Sequence, residues 1–150
     1  MAKVIGMATI ADATDKGEPG SEITVEDLQP YQESITRTGR VLIRTGWSRN
    51  FGQDAFFDNF PGISPAAAKW LVERGVKMVG IEQPSVHPVE HLQVHKTLLS
   101  SGAILVESVA NLDMVTQDEV LVICLPLRLK GRDGSPARLV AVEDAELTGR

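Results

Sequence analysis

The chain is poor in cysteine, histidine and aromatic residues, and each shortage excludes something. Its single cysteine, Cys124, lies inside an apolar run, so no disulfide can form within the chain. A packed core thiol and a reducing, cytoplasmic setting are therefore expected. The longest apolar runs, such as "EVLVICLPLRL" from Glu119 to Leu129, fall well short of the roughly 20 residues that span a bilayer, so no membrane segment is expected. After Ile10 the N-terminal stretch turns polar, and no apolar h-region leads into a small-residue cleavage site. The net charge of −5, with the basic residues scattered, lacks the basic stripe that a nucleic-acid partner needs. The GxGxxG, P-loop, HExxH and CxxC patterns are absent, and no serine sits in a nucleophile elbow. There is no internal repeat and no low-complexity tract. What remains is a 150-residue chain, 43% hydrophobic and 23% charged, ordinary for a globular domain with one core. Small molecules or other proteins are the expected partners.

The order of elements reads as α/β. "KVIGMATI" (Lys3 to Ile10) is a strand, followed by a loop rich in Gly, Pro, Asp and Ser. Thr24, with Glu26 and Asp27 behind it, caps a helix that runs to about Thr36 and that Pro30 limits or kinks. "RVLIRTG" is a short β-branched strand closed by Gly46. In "GISPAAAKWLVERG", Ser64 caps, Pro65 takes the first helical position and Gly75 stops the helix. "KMVGI" is a buried strand, and a second helix begins at Pro88 and stops at Gly102. "AILVES", "EVLVICLPLRL" and "ARLVAVE" are further strands, the last two forming a hairpin across "KGRDGSP". These elements predict a mixed β-sheet with packed helices.

Three places carry candidate chemistry. Five of the seven aromatic residues, Trp47, Phe51, Phe56, Phe57 and Phe60, fall between Trp47 and Pro61. That loop either folds down on the core or walls a pocket, in which case Trp47, Phe51, Phe56 and Phe57 could line a site for an aromatic substrate. The three histidines, His87, His91 and His95, fall within nine residues. His91 and His95 are four apart, which is either a solvated helix face or a metal-ligand spacing. Finally, Glu107 follows "AILV" and would sit at the C-terminal end of a central strand, the edge where α/β sheets place ligands. It is either the first exposed residue after the strand or a carboxylate paired with an imidazole or a cation.

"GISPAAAKWLVERGVKMVGIEQPSVHP", "HKTLLSSGAILVESVANLD" and "LPLRLKGRDGSPAR" resemble successive blocks of the cyclase or kynurenine-formamidase-like family of metal-dependent hydrolases. "KGEPGSEITVEDL" and "RVLIRTGW" occur in the same order, so the resemblance spans nearly the whole chain. It implies a swivelling β/β/α fold, dimers or larger homo-oligomers, and hydrolysis of formamides or cyclic amides with zinc or manganese. His95 matches the histidine before the "LL..G" block. Glu107 matches the glutamate that closes the next strand, a metal ligand in the family. The resemblance thus implies catalytic and metal-binding roles for both: a divalent ion that polarises a carbonyl and acidifies bound water, and an imidazole that binds the ion or carries a proton. His87 stands in "PSVHP" where many relatives have Asp, and is a weaker candidate donor, as is His91. "GSPAR", with Ser135 and Arg138, recurs in the family and is either a turn that orders the site or a plain hairpin turn.

The family's His-x-Gly-Thr-His-x-Asp motif has no counterpart here, and no histidine precedes His87. Residues 1–150 are therefore expected to form a single cyclase-like domain without the family's N-terminal strands. Such a chain is a C-terminal portion of a longer hydrolase, a subunit whose other ligands come from another polypeptide, or a relative that lost catalysis. Two functions follow: a metal-dependent hydrolase of a small amide, formamide or cyclic amide, or a catalytically inactive oligomeric or ligand-binding relative. A sheet edge or apolar face left uncovered would favour a homo-oligomer.

Overall fold

The computed structural model describes residues 3–145. Its frame is a six-stranded mixed sheet in the order β6-β5-β3-β1-β7-β8. Four strands run parallel: β1 (Ile5–Asp12), β3 (Arg40–Arg44), β5 (Met78–Ile81) and β6 (Ile104–Val106). Then β7 (Glu119–Pro126) pairs antiparallel with β1, and β8 (Ala137–Val142) antiparallel with β7. Two strands that sequence reasoning missed, β2 (Glu22–Ile23) and β4 (Gly62–Ile63), form a separate two-residue parallel pair. They are too short to show any period.

The parallel strands alternate between two apolar faces, as period-2 geometry requires. Val41, Ile43, Val79 and Ile81 face α1 (Val25–Leu28), α2 (Gln32–Thr38), α3 (Pro65–Glu73) and α4 (His91–Ser100), and meet Leu28, Ile35, Leu71, Val94 and Leu98. Ala8, Ile10, Leu42, Met78, Val120, Val122 and Cys124 face the other way, under Val109 and Leu112. Cys124 is buried and its thiol pKa is raised by that burial.

The expected first helix is divided. Pro30 cannot donate to an α-helical ladder, and Gln29–Tyr31 form a 3-10 turn between α1 and α2. Asp27 accepts from the Thr24 backbone N–H at 2.7 Å and from its hydroxyl at 2.9 Å, and Ser64 Oγ accepts from Ala67 N–H at 3.1 Å. The expected helix from Pro88 begins only at His91, because residues 87–90 form a tight turn instead. β6 is an edge strand rather than a central one, so Glu107 closes the rim of the sheet. Its side chain is about one-third exposed, not buried.

Candidate active site

The C-terminal edge of the parallel strands collects Asp12, Glu82 and Glu107, and their environments differ. Asp12 ends β1 and takes bonds from Thr14 N–H (3.0 Å), Thr14 Oγ1 (2.8 Å) and Arg44 Nη2 (2.8 Å). Partial burial pushes its carboxyl pKa up, but the Thr14 bonds and the Arg44 guanidinium outweigh that and hold it below the ordinary value of 3.8. Arg44 also donates to the carbonyls of Leu112 (3.3 Å) and Val115 (3.0 Å), which clamps the 112–115 segment over the sheet.

Glu82, buried at 1% exposure, is fully occupied. One oxygen accepts from Thr45 N–H (2.7 Å), Thr45 Oγ1 (3.1 Å) and Gly46 N–H, and the other from Ser48 Oγ (2.7 Å). Gly46 turns the chain with φ +75°, so the carboxylate and that turn together fix the start of the aromatic loop. Sequence reasoning passed over Glu82, although an acid directly after the apolar "KMVGI" carried the same signal as Glu107. Beside it, Gln83 is buried and neither polar atom of its amide has a partner among the described residues. Its backbone carbonyl accepts from Ser108 N–H at 2.9 Å, next to Glu107.

Glu107 meets His95. The crossover from β5 through α4 to β6 sets the histidine above the end of β6, with His95 Nε2 3.2 Å from Glu107 Oε1. The other ring nitrogen, Nδ1, lies 2.8 Å from the carbonyl oxygen of His91. A carbonyl only accepts, so Nδ1 carries the hydrogen, and in the neutral ring Nε2 presents a lone pair toward a carboxylate oxygen. Two acceptors facing each other at that distance require a proton or a cation between them. A histidine that gives one N–H to a backbone carbonyl and turns the other nitrogen to a carboxylate has the outer arrangement of a metal ligand. The chemistry of this donor pair therefore fits a divalent ion, with further ligands coming from outside the pair.

Glu107 also forms a wall shared by two clefts. A cleft of ≈ 670 Å³ runs from Val4, Ile104 and Cys124 to the turn that holds Arg132 and Ser135, and one of ≈ 220 Å³ continues past Ser108 and Asn111 to Arg138. Ser135 Oγ is used locally, on the Pro136 carbonyl at 3.3 Å.

The other candidates fall elsewhere. His91 opens α4 with an exposed side chain, and only its carbonyl reaches His95. Glu22, His87 and Glu90 place donor atoms within 4.8 Å of one another, the one group of three or more possible metal donors among the described residues. However, His87 Nδ1 accepts from Val89 N–H (3.0 Å) and Glu90 N–H (2.9 Å). The proton of the neutral ring is therefore on Nε2, pointing at Glu22 Oε1 3.3 Å away, and no lone pair is left for an ion. In the aromatic loop, Trp47 and Phe56 are buried with Phe60 in a small cluster of their own, and Trp47 Nε1 donates to the Phe56 carbonyl at 3.0 Å. Phe51 and Phe57 are 69% and 71% exposed and meet Phe56 edge-on. None of Trp47, Phe51, Phe56 and Phe57 lines either cleft.

The family model for cyclases matches residues 1–88. The chain belongs to the cyclase family. It is 36% identical over 138 residues to the kynurenine formamidase of Bacillus thuringiensis, covering 91% of this chain, and 32% identical to that of Bacillus cytotoxicus over the same length. The chain spans 62% of the length of these relatives. Among solved structures, a potential metal-dependent hydrolase with cyclase activity superposes with a TM-score of 0.75 at 28% identity, covering 93% of this chain and 65% of the other. Isatin hydrolase A of Labrenzia aggregata superposes with a TM-score of 0.76 at 26% identity, covering 93% and 61%. The mixed sheet with its packed helices is thus the fold of the cyclase family.

Proposed function

We propose that this cyclase-family chain carries the His95–Glu107 part of a metal-dependent hydrolase site that opens a small amide, formamide or cyclic amide. The carrying observation is the pair itself, an imidazole lone pair and a carboxylate oxygen 3.2 Å apart with the other ring nitrogen spent on a carbonyl. Kynurenine formamidases and an isatin hydrolase among the relatives support the substrate class.

His95 Nε2 and Glu107 would hold a zinc or manganese ion. When bound, such an ion supplies Lewis-acid polarisation of a carbonyl and a water acidic enough to lose its proton near neutrality. Around it, this chain's residues orient the reacting groups. The His91 carbonyl fixes the His95 tautomer, so Nε2 rather than Nδ1 faces the reacting region. Glu107 at the wall of both clefts is placed to accept a proton from the attacking water or to hold the ion. Ile104, Leu105, Val106 and Leu127 give the larger cleft an apolar wall on which a small ring can rest.

A homo-oligomer is part of this reading. Ile5, Leu125, Val140 and Val142, exposed at 37%, 56%, 43% and 38%, form an apolar strip on one face of the β1, β7 and β8 strands. Light scattering on the purified chain tests it.

For the site, the test is elemental analysis of protein purified without chelator, together with assays on an N-formyl aromatic amine and a cyclic imide. Stoichiometric zinc or manganese, lost in Glu107→Gln along with turnover, is the expected result. Wild-type protein free of metal and inert on both substrates would refute the proposal.

A further inference from the structure

We infer that His87 is a positioning residue, an acceptor cap that fixes the start of α4 and through it the ring of His95. For its activity readout the inference rests on the hydrolase proposal, but its structural readout does not.

His87 is 7% exposed. Its Nδ1 takes two consecutive backbone donors, Val89 N–H at 3.0 Å and Glu90 N–H at 2.9 Å, the bonds that an Asp or Asn oxygen makes in an Asx turn. Those two N–H groups lie just ahead of α4 and would otherwise be orphan donors of the helix start. The ring is held from the far side. Nε2–H points at Glu22 Oε1 on β2, and a Cβ at Gly62 on β4 would come within 2.5 Å of the ring Cδ2. The β2–β4 pair is therefore a bracket for this ring.

From the cap, the line to the reacting pair is short. Glu90 carbonyl accepts Val94 N–H at 3.1 Å and opens the helix, and the next carbonyl, that of His91, accepts His95 Nδ1–H. A start of α4 displaced by one residue would carry the His91 carbonyl away from Nδ1 and turn Nε2 from Glu107.

Histidine makes this cap conditional in a way that Asn would not. Protonated at Nδ1, the ring becomes a donor facing two donors, and the cap is lost. Among the described residues the charged groups that meet the ring are Glu22 from β2 and Glu90 from the turn, while β4 offers only backbone.

The experiment compares the whole wild-type chain with its His87→Asn and His87→Leu variants. Asn keeps an acceptor for the two N–H groups and a donor for Glu22 but does not titrate; Leu keeps neither. In 15N-labelled protein taken from about pH 8 to about pH 5, the span in which histidines as a class titrate, the Val89 and Glu90 amide signals move in wild type and hold still in His87→Asn. In His87→Leu the His95 ring nitrogens shift already at the upper pH. Where turnover is measurable, wild type loses about tenfold more kcat on acidification than His87→Asn, with KM nearly equal, an effect of the size a lost cap gives. His91 and His95 are present in both proteins, so the difference isolates His87. Amides that ignore pH in wild type, or a His87→Leu variant with the wild-type His95 ring signals, would overturn the inference. Should the amides titrate as expected while no substrate is turned over at any pH, the hydrolase reading fails and the cap stands.

Discussion

The turn before α4 and the rim of β6 each bring a histidine to a glutamate at nearly the same distance, 3.3 Å for His87 and Glu22, 3.2 Å for His95 and Glu107. What differs is the backbone group on the other ring nitrogen. Two N–H donors claim His87 Nδ1, so its Nε2 carries the proton and the pair is complete. A carbonyl claims His95 Nδ1, so the neutral ring turns a lone pair at Nε2 to Glu107, and the pair takes a proton or a cation between its two acceptors. Polarity of one backbone contact thus separates a histidine whose neutral ring is fully spent from one whose neutral ring offers a lone pair, where distance and residue type do not.

The contrast is most strongly tested by removing the acceptor at the rim. Glu107→Gln should lower metal content and kcat/KM by more than the ~10–100-fold typical of groups that only orient a ligand, measured by elemental analysis and steady-state kinetics. The matching Glu22→Gln should leave metal content unchanged, because His87 has no lone pair to offer.

Gly62→Ala attacks the other pair. The added methyl group meets the His87 ring at 2.5 Å and Pro88 Cδ at 3.0 Å, so overpacking should cost about 1–3 kcal/mol in denaturant unfolding and loosen α4. Ser64→Ala is the control: it removes the cap of α3 at a cost of about 1 kcal/mol while sparing turnover per folded molecule.

The smallest effect concerns the satisfied acid on the same edge as Glu107. Asp12 has a folded pKa below its ordinary value, so it binds its proton less readily folded than unfolded. Its contribution is fully present above about pH 4 and is lost as pH falls through the folded value. Asp12→Asn should therefore reduce stability near neutrality and flatten the acid limb of the unfolding midpoint against pH.

Much of this was legible in the residues. Ser64 with Pro65 marked the start of α3, the β-branched and apolar runs around Val41 and Val79 marked strands, and Pro30 marked a break. The twelve-residue interval between His95 and Glu107 marked a helix returning to a strand, with both groups at its ends. Less was legible where several distant segments meet. His87 prefixed a helix that should have begun at Pro88, and only contact with Val89, Glu90 and Glu22 shows it to be a cap. The aromatic loop gave no period, and its split into a buried Trp47–Phe56–Phe60 cluster and exposed Phe51 and Phe57 depended on which rings could reach the same space.

By itself the sequence determined the six strands of the main sheet, the helical segments and the order in which they follow, because periodicity, caps and breakers act over a few neighbouring residues, while the two-residue β2 and β4 and the exact start of α4 lay outside that reach. Tertiary structure decided which nitrogen of each imidazole carries the proton in the neutral ring, since that is assigned by the backbone group facing it, and only folding chooses that neighbour.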